Sequence, residues 1–356
     1  MDADDCDGLP MYFEEDEEEA AAEKQKRRQQ SRKPVAKLPW EPATPEEKAK
    51  RELNFAMMDK LHEYDPKLGY GCYTRVWFVD FSTFDIDEET QYGPMRYTDS
   101  LIGDDHELTD SFNVLCLKIM SSDVGYPINV YGTVIVRDRL DMKCIYVFQR
   151  NSDNCQLVQS EGESLILTGP SRGVVFHSDA YFEINLKIKG DREIMDKQFS
   201  KALIDVDISK FDSMVKRKTV VSWLSEVDLI LAYVKNALEG TIEIRILSGP
   251  EAFYGKITVC TCTTDVSHIL LYDSDVNGAN TLSSDRVIQL LRRVVAVSVD
   301  QMLIFHIYAR SDDQNANTSH CIRELRPLIK GADKIDITCG VYKLRVEVTW
   351  STLLVE

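Results

Sequence analysis

The sequence has no apolar run approaching the ~18–20 residues that cross a bilayer as a helix. Its first twenty residues are acidic, so they lack the basic start and apolar stretch of a secretory signal. No glycine-rich loop is followed by Lys-Ser or Lys-Thr, and the glycines at 169 and 173 are predicted to form a turn rather than a phosphate loop. We therefore expect a soluble protein of the cytoplasm or nucleus, with no membrane association and no cofactor.

Paired cysteines of the Cys-x-x-Cys kind are also missing, although the chain has nine cysteines. Their number is odd and their spacing irregular. In a reducing compartment such cysteines are expected to stay free thiols that pack as small apolar groups. The cysteines are Cys6, Cys72, Cys116, Cys144, Cys155, Cys260, Cys262, Cys321 and Cys339.

Positive charge is in deficit, with 42 Lys and Arg against 59 Asp and Glu and a formal net charge of −17. Phosphates attract Lys and Arg, so nucleic acid is not a favoured partner. The charge is unevenly placed: residues 1–20 carry −10, residues 21–51 carry +6, and residues 52–356 carry −13. An acidic block is thus followed directly by a basic one.

Residues 1–43 are predicted to be a disordered tail, acidic and then basic, because they contain few large apolar residues. The basic part is a candidate nuclear import signal. The alternative is a solvated linker that the acidic block partly neutralises. The residues of this stretch are Lys24, Lys26, Arg27, Arg28, Arg32 and Lys33.

Residues 44–66 are predicted to form a helix and linker. Thr44 supplies an N-cap hydroxyl, Pro45 suits the first helical position, and Glu47 stands where a capping carboxylate is expected. Asp65-Pro66 and Gly69 supply the stop signal.

Beyond Gly69 the apolar period changes to two, the period of half-buried strands. Short, regularly spaced strands with Gly, Pro and Asp between them are typical of a sandwich or barrel. We predict a mainly β chain with two tandem antiparallel β-sandwich-like halves, residues 75–210 and 220–356. The predicted strands include 76–79, 113–119, 131–136, 144–148, 164–167, 181–188, 227–234 and a half-exposed edge strand at 341–350.

The second half resembles the first, which indicates an internal duplication. Residues 241–246 match 113–119, and Tyr254-Gly255 matches Tyr131-Gly132. Residues 293–307 match 172–186 without a gap, which places Leu186 over Ile307.

Several segments resemble a plant domain family that is expanded in grasses and has no known function. These segments are residues 93–99, 122–138, 153–156 and 165–170, and the resemblance covers roughly residues 75–353. The family is similar to the C-terminal domain of jasmonate-induced ribosome-inactivating proteins, whose N-terminal domain carries the N-glycosidase activity. In this chain a short charged tail occupies the position of that N-terminal N-glycosidase domain. The resemblance implies a non-catalytic module in stress or defence, and it supplies no catalytic residue.

Several cysteines, histidines and aspartates are candidate zinc or calcium ligands, but each set also has a structural explanation. Cys260, Cys262, Cys321, Cys339 and His320 form a candidate zinc set, but core packing is favoured because the spacing is unusual. The histidines (His62, His106, His177, His268, His306 and His320) are scattered, and a Cys/His pair that meets only in the fold stays open. A calcium site is disfavoured relative to turns for Asp123, Asp138, Asp141, Asp153, Asp265, Asp273 and Asp275.

We therefore assign no catalytic, cofactor-binding or metal-ligating residue from the sequence. The favoured function is a non-enzymatic β-rich binding module, with a protein partner, in plant stress or defence. Sandwich loops and the strand at 341–350 are its expected contact surfaces. The alternative is a protein related to rRNA N-glycosidases, or a translation regulator, that lacks a recognisable catalytic domain.

Overall fold

The computed structural model describes residues 44–99, 107–207, 209, 214–261, 268–277, 286–310 and 318–354. The predicted disordered tail and its basic stretch, residues 24–33, lie outside these ranges. No helix in the described ranges is long and apolar enough to cross a membrane. No disulfide joins the cysteines within them.

Helix α1 (Pro45–Leu61) begins at the predicted capping box. The Glu47 amide donates to Thr44 Oγ1 over 3.2 Å, and the Thr44 amide donates to Glu47 Oε2 over 2.9 Å. The helix ends before the predicted stop because His62–Asp65 form strand β1, which pairs with β2 (Tyr70–Tyr73). The buried Asp65 carboxylate accepts from the amides of Lys67 and Leu68 and so shapes the turn between these strands.

The first sandwich contains eight strands and two short 3₁₀ turns, Ser152–Asn154 and Glu193–Met195. Its strands are β3 (Ser111–Ser122), β4 (Ile128–Arg137), β5 (Ile145–Arg150), β6 (Gln156–Val158), β7 (Asp179–Ile188), β8 (Lys197–Asp207), β9 (Val215–Ser222) and β10 (Ser225–Val234). One sheet has the order β3-β10-β9, and the other has the order β5-β4-β7-β8 with β6 beside β4. Inward side chains such as Leu117, Phe182 and Leu229 are fully buried between the sheets.

The second sandwich also contains eight strands, with a four-residue helix between two of them. Its elements are β11 (Ala237–Ser248), β12 (Gly255–Cys260), β13 (Ile269–Asp273), α2 (Ser274–Asn277), β14 (Val294–Ser298), β15 (Leu303–Ala309), β16 (Ser319–Leu325), β17 (Gly331–Cys339) and β18 (Tyr342–Thr352). The sheet orders are β14-β11-β18-β17 and β13-β12-β15-β16. Phe305, Leu344 and Trp350 are fully buried in the core between them.

These pairings are all antiparallel, so the predicted mainly β class with two sandwich-like halves is confirmed. The prediction that 341–350 forms an exposed edge strand is wrong. Strand β18 lies between β11 and β17, and pairing on both sides leaves no free edge there.

Three segments differ from the prediction, one in the sandwich to which it belongs and two in whether they form a strand. Residues 220–234 belong to the predicted second half, but β10 pairs with β3 and β9, and its inward side chains lie in the core of the first sandwich. Residues 76–79 form no strand, since the Val76 amide donates to the Glu183 carboxylate instead of a neighbouring strand. Residues 164–167 run beside β3 with one isolated bridge, Lys118 to Ser164.

The two sandwiches share one strand order. The sheet β3-β10-β9 corresponds to β11-β18-β17, and β5-β4-β7-β8 corresponds to β13-β12-β15-β16. Gly132 pairs with Leu186 and Gly255 pairs with Ala309. The match of Tyr131-Gly132 with Tyr254-Gly255 and the gap-free match, which places Leu186 over Ile307, therefore cannot both hold. The duplication itself stays a prediction.

Candidate metal centre

The outward face of the sheet β13-β12-β15-β16 carries the candidate site. Along β15 the side chains of Phe305 and Ile307 enter the core, so alternation turns His306 and Tyr308 outward. Thr258 on β12 pairs with His306, and Cys260 follows two residues later on the same face. The sheet therefore gathers polar side chains from neighbouring strands on one surface.

Three donor side chains converge on this face: Cys260, His268 and His306 each offer a ligand atom, and the three atoms lie within 4.8 Å of one another. The β12–β13 hairpin brings the first two together, because the last paired residues are Val259 and Ile269, and Cys260 and His268 come next. Strand β15 supplies His306, whose Nε2 lies 3.8 Å from the Cys260 sulfur.

A second layer of side chains orients the imidazoles. Thr258 Oγ1 lies 3.3 Å from His268 Nδ1. His306 Nδ1 lies 3.4 Å from His320 Nε2, and the His320 ring stacks on Tyr308 with 4.1 Å between ring centroids and 2° between planes. A histidine that binds a metal through one ring nitrogen usually donates its other ring N–H to a carboxylate, a carbonyl or a water, and here Thr258 and His320 offer an acceptor at that position.

The donor set suits a transition metal of the zinc type, since thiolate and imidazole are the ligands that Zn²⁺ prefers. With Zn–S of about 2.3 Å and Zn–N of about 2.0–2.1 Å, a 3.8 Å separation corresponds to an S–Zn–N angle of about 120°. Cys260 is buried, whereas His306 is half-buried, so the site opens from the sheet towards the surface.

A cavity of about 600 Å³ adjoins the centre and shares His268 and Thr258 with it. Lys256 lies 3.6 Å from Asp273, and Arg310 pairs with Asp275, so the charges of these described lining residues balance. The lining residues are Gly255, Lys256, Thr258, His268, Leu270, Asp273, Asp275, Tyr308, Arg310 and Thr318.

The cysteines of the predicted zinc set do not all meet. Cys321 pairs with Ile307 and so lies on the opposite side of the sheet from His306, and Cys339 is buried in the core. Burial, and then the neighbouring Cys321, raises the pKa of the Cys339 thiol. Cys262 lies outside the described residues. Of that set, Cys260 is a donor and His320 contacts one.

The aspartates considered as calcium ligands form ion pairs or turn hydrogen bonds within the protein. Asp138 and Asp141 meet at Arg172, whose guanidinium lies 2.5 Å from the Asp138 carboxylate, and Asp123 pairs with Lys67. The carboxylate of Asp273 accepts from the Asp275 amide, as in an ordinary turn. Asp153 lies in a 3₁₀ turn, and Asp265 and His106 lie outside the described residues.

The expectation that the chain has no Gly-x-Ser-x-Gly pattern is wrong, because residues 169–173, which are also predicted to form a turn, spell this pattern of a nucleophile elbow. An elbow needs a helix directly after its serine, and residues 172–176 form none. Arg172 is instead fully buried against Asp138.

The family model of DUF6598, a domain of unknown function, matches residues 111–348, which include the first sandwich, all of the second except the end of β18, and Cys260, His268 and His306. The chain belongs to this family. A search of curated proteins found no match.

Two solved structures are similar to the DUF6598 chain. A two-domain structure of extended synaptotagmin 2 matches at 8% identity and a TM-score of 0.24, over 77% of this chain and 99% of that one. Human GIVD cytosolic phospholipase A2 matches at 11% identity and a TM-score of 0.21, over 70% of this chain. The match spans about a third of the phospholipase, 34%.

Proposed function

We propose that this DUF6598 protein is a binding module whose second sandwich binds a zinc ion through Cys260, His268 and His306. The observation that supports the proposal is the convergence of one sulfur and two imidazole donors within 4.8 Å. Two of these donors come from one hairpin and the third from the adjacent strand, so the folded sheet holds them together before the metal arrives. A preformed donor set favours metal binding because little conformational entropy is lost on binding.

The preference for zinc follows from the donors. Cys and His together disfavour Mg²⁺ and Ca²⁺, which take oxygen ligands. Zn²⁺ has no geometric preference from its d electrons and accepts an angle of about 120° between sulfur and nitrogen.

The test is a zinc titration of chelator-treated protein in competition with a chromophoric chelator. We expect one zinc per chain for the wild type, and loss of that site in Cys260→Ser and His306→Ala. The matched controls are Cys155→Ser and His177→Ala, both in the first sandwich, which should bind as the wild type does. Circular dichroism of each metal-free variant checks that it is folded. Equal zinc binding by Cys260→Ser and Cys155→Ser would overturn the proposal.

A protein partner is the second proposed function, and one surface favours it. The connection between β7 and β8 carries two exposed apolar side chains in sequence, Ile194 at 90% and Met195 at 49% exposure. Adjacent exposed apolar residues of this kind are found at sites of protein contact. A partner captured from stressed leaf extract by the wild type and lost with Ile194→Asp would support this function. Capture that the substitution leaves unchanged would remove it.

The plant stress or defence setting, the grass origin and the relation to ribosome-inactivating proteins rest on the sequence resemblance at residues 122–138 and 165–170. The corresponding alternative function is N-glycosidase activity or control of translation. An adenine-release assay on ribosomes distinguishes it from a binding module. We expect no adenine release, and release that follows the purified wild-type chain would favour the alternative.

A further inference from the structure

We infer that the metal bound by Cys260, His268 and His306 keeps one coordination position open towards the adjoining cavity, and that it binds there the carboxylate of a small organic acid. This inference rests on the proposed zinc site.

The open coordination position follows because the residues that the structure describes supply fewer donors than zinc usually binds. Among the described residues three protein donors converge, whereas Zn²⁺ in proteins is usually four-coordinate. Sites with three protein ligands keep the fourth position for water or another small ligand. His268 is both a donor and part of the cavity wall, so the cavity reaches the metal centre directly.

The charge of the site favours a monoanion. Among the lining residues that the structure describes, Lys256 pairs with Asp273 and Arg310 pairs with Asp275, so their charges cancel. A divalent zinc bound to one thiolate then leaves a single positive charge at the metal end. A carboxylate neutralises that charge and supplies an oxygen ligand of the kind that Zn²⁺ accepts.

The walls of the cavity favour an organic chain behind the carboxylate. Leu270 and the Tyr308 ring are half-buried there, next to the hydroxyl groups of Thr258 and Thr318. A volume of about 600 Å³ falls within the range of small-molecule sites and far exceeds what a bare inorganic ion needs. The cavity therefore has room for several carbon atoms.

The experiment uses the full chain loaded with Co²⁺, whose spectrum reports both claims separately. A thiolate-to-cobalt charge-transfer band in the near ultraviolet shows that Cys260 binds the metal, and Cys260→Ser should lack it. The visible ligand-field bands report coordination number. We expect acetate, propionate and butyrate to shift the visible bands saturably, with affinity rising about fourfold for each added methylene that is buried.

A charge variant locates the probe in the cavity. Arg310→Gln should weaken butyrate binding about two- to fivefold, because it removes one positive charge from the wall. The cobalt spectrum without butyrate should stay unchanged, since Arg310 is not a donor. Lys330→Gln changes an exposed lysine outside the cavity and is expected to bind butyrate as the wild type does.

The outcomes separate the two proposals. If the charge-transfer band is present and no carboxylate shifts the visible bands, the inference fails and the zinc site stands. A shift with inorganic phosphate alone, or equal affinity for acetate and butyrate, also overturns the organic-acid assignment. Absence of the charge-transfer band in the wild type removes the zinc site and, with it, the inference.

Discussion

Gly132 on β4 and Gly255 on β12 lie on strands that hold the same position in the sheet order of the two sandwiches, and each glycine lies against a backbone carbonyl of the next strand. Their φ angles are 121° and 150°, a region that side chains disfavour. A Cβ atom would lie 2.1 Å from the Asn185 oxygen at Gly132, and 1.9 Å from the Tyr308 oxygen at Gly255. Two adjacent strands in each sandwich therefore approach more closely than any other residue permits.

Replacing either glycine with alanine is predicted to destabilise the fold. We expect Gly132→Ala and Gly255→Ala each to lower the free energy of unfolding by about 2–4 kcal/mol, through overpacking and backbone strain together. The control is Gly93→Ala, which has no positive φ and no atom within 4 Å of the added carbon. Urea unfolding followed by circular dichroism measures all three. Losses below about 0.5 kcal/mol at Gly132 and Gly255 would contradict the close approach.

Glu183 is predicted to stabilise the fold by holding two arginines. Its carboxylate accepts from Arg137 and Arg75 over 2.8 Å and from the Val76 amide over 3.0 Å, and it is almost fully buried. Glu183→Gln should cost about 3 kcal/mol, because it leaves Arg137 buried without a counter-charge.

The same residue predicts a pH dependence. Burial by itself would raise the pKa of Glu183, but Arg137, Arg75 and the Val76 amide lower it below its ordinary value. A lowered folded-state pKa gives stability above the unfolded-state value, about 4.3, and that stability is lost as the pH falls through the folded-state value. Unfolding free energies measured between neutral and acidic pH should therefore fall more for the wild type than for Glu183→Gln. Parallel curves would contradict this.

Asn113 is predicted to couple the two sandwiches. Its amide on β3 donates to the Ala296 carbonyl of β14 over 2.7 Å, and its carbonyl accepts from the Ala296 amide over 2.9 Å. Asn113→Leu leaves both Ala296 groups buried without partners, so we expect a loss of about 2–4 kcal/mol in the urea experiment. Asn129→Leu, at an exposed position on β4, is the control. Equal stability of the two variants would show that this contact does not stabilise the fold.

Local sequence patterns predicted where helices and strands form better than they predicted which strands pair with one another. The capping box at Thr44 and the alternation at 181–188 act over a few residues, and both predicted the correct element. The position of β18 depends on which strands pair with it, and β11 lies about a hundred residues earlier in the chain. Its alternating side chains look the same at an edge and in the middle of a sheet, so the edge prediction failed.

The candidate site shows the same division. The alternation of apolar residues along β15 indicates that His306 faces away from the core. The short separation of Cys260 and His268 is typical of a hairpin, and this spacing is the signal that the sequence prediction missed. What no local pattern contains is the pairing of β12 with β15, which brings His306 to the hairpin. Cys321 and Cys339 belong to the predicted zinc set because they are cysteines, but their positions on the strands direct their side chains away from Cys260, His268 and His306.

His320 is predicted to be a positioning residue for the metal. Its Nε2 lies 3.4 Å from His306 Nδ1, and stacking on Tyr308 holds its ring. Losing such a partner typically costs about 10–100-fold in metal affinity, so we expect a loss of at least tenfold for His320→Ala. His320→Asn keeps a polar group near His306 and should recover part of the loss. Chelator competition measures the three affinities, and equal values for all would show that His320 does not orient His306.

The most direct test of the zinc site is X-ray absorption at the zinc edge of protein loaded with one zinc per chain. We expect one sulfur ligand at about 2.3 Å and imidazole nitrogens at about 2.0–2.1 Å, with the sulfur contribution absent in Cys260→Ser. A zinc shell made only of oxygen and nitrogen in the wild type would contradict this expectation, as would a sulfur contribution that survives in Cys260→Ser.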